Sequence, residues 1–157
     1  MKGDRLSGYG FVARHCRASD LTYGPDGRPN GVNEAAFRPK PLDIDGISVI
    51  WLDFFSSQNP LIDPRPYQLN CVRSVVSLNV SSTQRLAILL IGDVNAAILS
   101  GGGNPLVIHD PCDELPPGAN AAHALICPMD ILSDITVREA LASAVSPSEL
   151  VAYQLTP

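Results

Sequence analysis

Apolar residues fall in short blocks separated by clusters of Gly, Pro, Asn and Asp. That pattern describes many short elements. Residues 10–16 (GFVARHC) read as a strand, with Phe11, Ala13 and His15 on one face and Val12, Arg14 and Cys16 on the other. Residues 18–31 are dense in turn formers and read as one long exposed loop. Val32 to Phe37 suits a short strand or a helical turn, and Pro39 and Pro41 end any helix there. Residues 46–55 (GISVIWLDFF) are β-branched and aromatic without alternation, which predicts a strand buried on both faces.

Asp63-Pro64 followed by Leu69, Val72, Val75 and Val76 predicts a helix over residues 64–78. Residues 86–91 are a six-residue aliphatic run and read as a central strand. Residues 94–99 are ambiguous, with a second strand favoured because three glycines follow at 101–103 and suit a turn between strands. Residues 106–109 and 123–127 read as strands flanking a Pro-rich loop at 110–120. Asp134 is placed to N-cap a helix over 135–145, which Ser146-Pro147 stops. Residues 150–155 suit a last strand or a trailing segment. The sum is about five to seven strands and two helices. This predicts a single α+β domain over residues 1–157, mainly antiparallel, with a loose lead-in at 1–9. The alternative is a partly open β-barrel carrying two helices.

Composition supports a folded chain. Of its 157 residues 45% are hydrophobic, and that length buries a sizeable core. Only 17% are charged, so much of the surface is built from neutral polar residues or is covered by a partner. The longest aliphatic run is far below the ~20 residues of a membrane helix. No apolar stretch follows the first residues, so no signal peptide is expected, and the four cysteines read as free thiols of a cytosolic protein. Nine Arg against two Lys, with much Ala and Pro, suit a GC-rich bacterial gene.

The net charge of −5 makes nucleic acid an unlikely partner. The charge is uneven. Residues 1–40 hold seven basic residues against four acids, and the rest of the chain holds four against twelve. With no Lys after Lys40, a phosphate-binding P-loop at the glycine triplet is excluded.

Three constellations could carry chemistry. His109, Cys112, His123 and Cys127 form two His/Cys pairs, a possible tetrahedral zinc set. His109, His123 and His15 are the candidate catalytic residues of a small hydrolase or transferase, with Asp110 near as an orienting acid. Arg14 and Arg17 bracket His15 and Cys16 at a strand end, where they could hold a phosphate or carboxylate and lower the Cys16 pKa. None of these sets is complete. The expectation is therefore a cytosolic interaction protein, an accessory or regulatory subunit that binds a larger protein, with self-association possible. The rivals are the small enzyme and a zinc-stabilised binding module.

Overall fold

The computed structural model describes residues 2–41, 43, 45–56, 82–111 and 122–152. The helix expected over 64–78 and the loop at 112–120 lie outside them. Along the chain come β1 (Phe11–Cys16), β2 (Leu21–Tyr23), β3 (Pro29–Val32), β4 (Ile47–Trp51), α1 (Asp53–Ser56), β5 (Arg85–Leu90), α2 (Ile91–Ser100), β6 (Leu106–His109), β7 (His123–Cys127), α3 (Met129–Leu132), α4 (Ile135–Ser143) and β8 (Leu150–Ala152). Single 3-10 turns lie at Ala18–Asp20, Glu34–Phe37 and Pro147–Glu149.

Six strands form one sheet in the order β6-β7-β4-β1-β5-β8, every neighbouring pair antiparallel. The fold is α+β, and the sheet is open rather than closed into a barrel. Strand alternation divides the buried side chains between its faces. Val12, Cys16, Ile47, Val49, Ala87, Leu89, Ala124 and Ile126 pack with the inner sides of α2 and α4 and with Ala36 and Phe37. Ala13, Ile50, Leu52, Leu86, Ile88 and Ala122 form a smaller cluster on the opposite face.

Three local expectations need correction. The loop expected over 18–31 contains a 3-10 turn and the hairpin of β2 and β3. Asp20 makes the difference. It is buried, and its carboxylate accepts the Arg17 backbone N–H at 2.9 Å, closing the turn that aims Leu21 into the core. The strand expected over 94–99 is helix α2. Ile91, Val94 and Ile98 repeat at helical spacing and are buried, and the chain passes directly from β5 into the helix, the extended Leu90 being both the last strand residue and the N-cap. The glycine triplet ends this helix rather than joining strands. Gly102 takes φ +86°, and a Cβ on Gly103 would stand 2.6 Å from Ile131 Cγ1.

The lead-in is held rather than loose. Gly3 and Leu6 donate to the carbonyls of His109 and Val107, the His109 N–H donates to Asp4 O, and Arg5 bridges Ile108. Residues 3–6 thus cover the outer edge of β6, which would otherwise present unpaired backbone groups. No helix among the described residues is long and apolar enough to cross a membrane.

Candidate anion-binding site

Three cationic side chains, Arg17, Arg38 and Lys40, line one surface pocket. Arg17 follows β1. Ala35, Arg38, Pro39, Lys40 and Pro41 come from the 3-10 turn Glu34–Phe37 and the segment after it. Together they line a half-open pocket of about 290 Å³. Pro39 and Pro41 fix φ on either side of Lys40, so the segment cannot continue as a helix and runs across the end of β1.

Beneath this segment lies Arg14, almost wholly buried. Its Nε donates to Ala36 O at 2.9 Å and its Nη1 to Ser48 O at 2.7 Å. Its Nη2 makes no hydrogen bond and stands 3.7 Å from Asp43 Oδ2, itself buried. The Asp43 carboxylate also accepts the backbone N–H groups of Lys40 at 2.7 Å and Ser48 at 3.2 Å. One buried ion pair therefore ties the pocket segment to β1 and β4. Burial pushes the Arg14 pKa down, against the attraction of Asp43. Burial also lowers Lys40, and the charge of Arg14 adds to the shift.

The pocket's arginines already have carboxylate neighbours. Arg17 Nε lies 3.7 Å from Asp20 Oδ2. Arg38 Nη2 donates to Glu34 Oε1 at 2.7 Å, and Arg138 Nε to Glu34 Oε2 at 2.7 Å. Arg138 is buried and also donates from Nη1 to the carbonyls of Leu132 at 3.0 Å and Ser133 at 2.8 Å, closing the end of α3. The Arg138 hydrogen bond is the main reason that the Glu34 carboxyl titrates below its ordinary range; Arg38 adds to it against the opposing effect of burial.

A depressed folded-state pKa stabilises the fold above the unfolded value and stops doing so as pH falls through the folded one. The stability advantage of the native protein over Glu34→Gln should therefore shrink from neutral pH to acid below about pH 4. Urea midpoints of both proteins across that range measure it. A constant difference would show that the charge of Glu34 adds nothing.

The structure distributes the candidate residues as follows. Arg17 lines the pocket, whereas Arg14 supports it from inside and does not line it. Cys16 is buried and its thiol is pushed up to about 12, chiefly by desolvation. The expected lowering by neighbouring arginines is outweighed, because removing a thiolate from water costs more than Arg14 returns. His15 lies on the sheet face opposite Arg14. Burial lowers its pKa, with the charges of Lys40 and Arg14 adding to that.

His109 and His123 fall on opposite faces. The register pairs His109 with Ala124, whose side chain joins the larger cluster, so His123 on the next residue points the other way. His109 packs against Trp51, ring centroids 5.2 Å apart, and Phe54 at 5.7 Å. His15 and His123 share a face, but two strand spacings and two residues separate them, roughly 12 Å. The three histidines do not line one pocket.

The described members of the zinc set do not converge either. His123 and Cys127 share a face of β7, but four strand residues separate them by about 13 Å, whereas zinc bonds are only about 2.0–2.3 Å long. Cys127 Sγ instead donates to Asp45 O at 3.3 Å, and burial raises its pKa. Cys112 lies outside the described residues, among which no group of three or more His, Cys, Asp or Glu is placed to hold a metal ion.

Asp110 orients His123 rather than its neighbour His109. His123 Nδ1 donates to Asp110 O at 2.7 Å, with the Asp110 carboxylate at 3.4 Å and Lys2 Nζ 3.6 Å from that carboxylate. A carbonyl only accepts, so Nδ1 carries the proton and Nε2 is left as the basic nitrogen.

Sequence reasoning found Arg17 but missed Arg38 and Lys40. The excess of basic residues before position 41 was the available signal. What it lacked was the fold-back that brings residues 35–41 onto the end of β1. Comparison with protein-family models, curated proteins and solved structures finds no match for the chain.

Proposed function

We propose that this protein is an accessory binding protein whose pocket seats an oxyanion, a phosphate or carboxylate carried by a partner protein. One observation carries the reading: Arg17, Arg38 and Lys40 converge on one pocket in a chain whose net charge is −5. Cationic side chains repel one another; Asp20 and Glu34 offset part of that repulsion, and a bound anion would offset more, most of all at Lys40. The pocket's volume of about 290 Å³ lies at the floor of the usual range for small-molecule sites. That favours a single headgroup presented from outside over an engulfed cofactor. Arginine and lysine together suit an oxyanion, the guanidinium as a planar fork and the ammonium as a point charge.

The test is a titration with inorganic phosphate followed by amide NMR, repeated with a phosphoserine peptide and an acidic peptide. Shifts should concentrate at residues 17, 35–38 and 40, since Pro39 and Pro41 carry no amide proton. Lys40→Glu should weaken phosphate binding at least tenfold, about 1.4 kcal/mol, with the melting temperature retained. Shifts spread evenly over the surface, or none, would overturn the reading. A peptide that binds no better than inorganic phosphate would remove the partner-borne ligand and leave a small-molecule site.

Binding should also depend on pH through Lys40. Its pKa is lowered in the unliganded protein, and an anion beside it favours the charged form. Affinity for sulfate, whose charge is constant from pH 7 upwards, should therefore fall as pH rises through the lowered Lys40 pKa. Lys40→Arg should remove that fall, since Arg remains charged. Calorimetric titrations at neutral and alkaline pH measure both.

A second reading, proton-transfer chemistry at His123, is supported by the Nδ1 hydrogen bond that makes Nε2 the base. Esterase turnover of p-nitrophenyl acetate, lost in His123→Gln and retained in His109→Gln, would favour it. Equal rates in all three proteins would end it.

A further inference from the structure

Glu34, next to the pocket residue Ala35, accepts at each carboxylate oxygen from a different arginine. Oε1 accepts from Arg38 and Oε2 from Arg138, both at 2.7 Å. The two arginines are held very differently. The Arg38 side chain is 60% exposed, and Glu34 is the carboxylate that holds it. Arg138 is 10% exposed and is anchored by two carbonyls besides. An exposed Glu–Arg pair is screened by water and salt and separates at little cost, while the buried pair does not.

We infer that Glu34 is an internal competitor for the pocket: its carboxylate holds Arg38 until an incoming oxyanion takes the guanidinium over, and Arg138 then retains Glu34. The inference rests on the oxyanion reading above and names the residue that sets the site's affinity. A carboxylate paired to Arg38 supplies the chemistry that the ligand would supply, so ligand and Glu34 compete for one fork of donors. Because Arg138 keeps the other oxygen, the exchange releases no buried charge. Glu34 and Arg138 join the 3-10 turn to α4, so the pocket framework stays docked while Arg38 changes partner.

The experiment is a double-mutant cycle read by inorganic phosphate affinity, with Glu34→Gln and Arg38→Gln singly and together. Gln at position 34 keeps an acceptor for Arg138 and removes the charge that holds Arg38. Glu34→Gln alone should bind phosphate about fivefold more tightly, the effect of losing one exposed pair. The gain should vanish when Arg38 is already Gln. If it persists there, the effect is a general loss of negative charge and the inference fails. Native protein that binds phosphate, with Glu34→Gln at unchanged affinity, also overturns the inference and leaves the pocket reading intact. Native protein that binds no phosphate overturns both. Should Glu34→Gln melt early, Glu34→Asp serves in its place, since the shorter carboxylate can keep Arg138 but not both arginines. It should also tighten binding, and unchanged affinity again sinks the inference.

Discussion

Arg14→Met should lose about 3–5 kcal/mol of folding stability, the range found when one partner of a buried ion pair is removed. Arg14 and Asp43 each have only 4% of the side chain exposed. Methionine fills much of the arginine stem's volume, so the loss is chiefly electrostatic and not a cavity. The carbonyls of Ala36 and Ser48 each lose a charged donor. Asp43 keeps the backbone N–H groups of Lys40 and Ser48 but loses the guanidinium 3.7 Å away, leaving only the weaker attraction of Lys40. Urea denaturation measures the difference, and an unchanged m-value would show that the unfolded state is not the cause. Adding Asp43→Asn should restore part of the stability, because the orphaned charge is then gone, although the single amide oxygen accepts only one of the two N–H groups that the two carboxylate oxygens hold. A loss below about 1 kcal/mol would mean that the pair is hydrated as surface pairs are.

The same pair explains why the candidate site was only half legible in the sequence. Arg14 and Arg17 stand out at a strand end, and strand alternation correctly separates Arg14 from His15. Nothing local says that Arg14 is buried, because its partners come from residues 36, 43 and 48. Arg38 and Lys40 were visible only as part of a charge imbalance. Their placement depends on Asp43, whose hydrogen bonds to Lys40 N and Ser48 N fold the segment back. The histidines show the opposite failure. His109 and His123 look like a cluster because both flank one loop, yet the register that pairs His109 with Ala124 sets them on opposite faces. A shift of one residue would have reversed that, and register is not written in either strand alone.

Among the elements, legibility followed the source of each one's stability. The strands β1, β4, β5, β6 and β7 are runs of β-branched, aliphatic and aromatic residues, and α4 carries its own cap, Asp134 Oδ1 accepting Thr136 N–H at 2.9 Å. Both signals are local. Helix α2 was hidden because its first residue, Ile91, belongs equally to the aliphatic run of β5. The hairpin of β2 and β3 was hidden because its strands are short and polar, with only Leu21 and Val32 buried. Its pairing is stabilised by the buried Asp20 and by the Asn33 N–H to Asp20 O bond, which tie its ends together. Such contacts are tertiary, and a propensity reading does not reach them.

Phe37→Ala should destabilise the fold by about 3–5 kcal/mol, as large-to-small core substitutions of phenylalanine do. Phe37 is fully buried on the 3-10 turn that precedes the pocket. It joins the cluster formed by the larger sheet face with α2 and α4, so truncation opens a cavity where turn, sheet and helix meet. Ala36, also fully buried, shares in holding the turn. Its cap is the Asn33 side chain accepting Ala35 N–H at 2.9 Å, and its remaining ties are Glu34 to Arg138 and Ala36 O to Arg14. Phe37→Leu keeps most of the apolar volume and should cost about 1–2 kcal/mol. Thermal and urea unfolding of the three proteins give the ordering native, Leu, Ala. Where Phe37→Leu remains fully folded, its phosphate affinity should match the native protein's, because Leu still anchors the turn and Arg38 and Lys40 stay in place. Matching stability losses for Leu and Ala would show that the cost lies in the ring's shape rather than in the cavity. Phosphate binding lost in Phe37→Leu despite a native melting temperature would show that the pocket needs the ring and not the anchored turn alone.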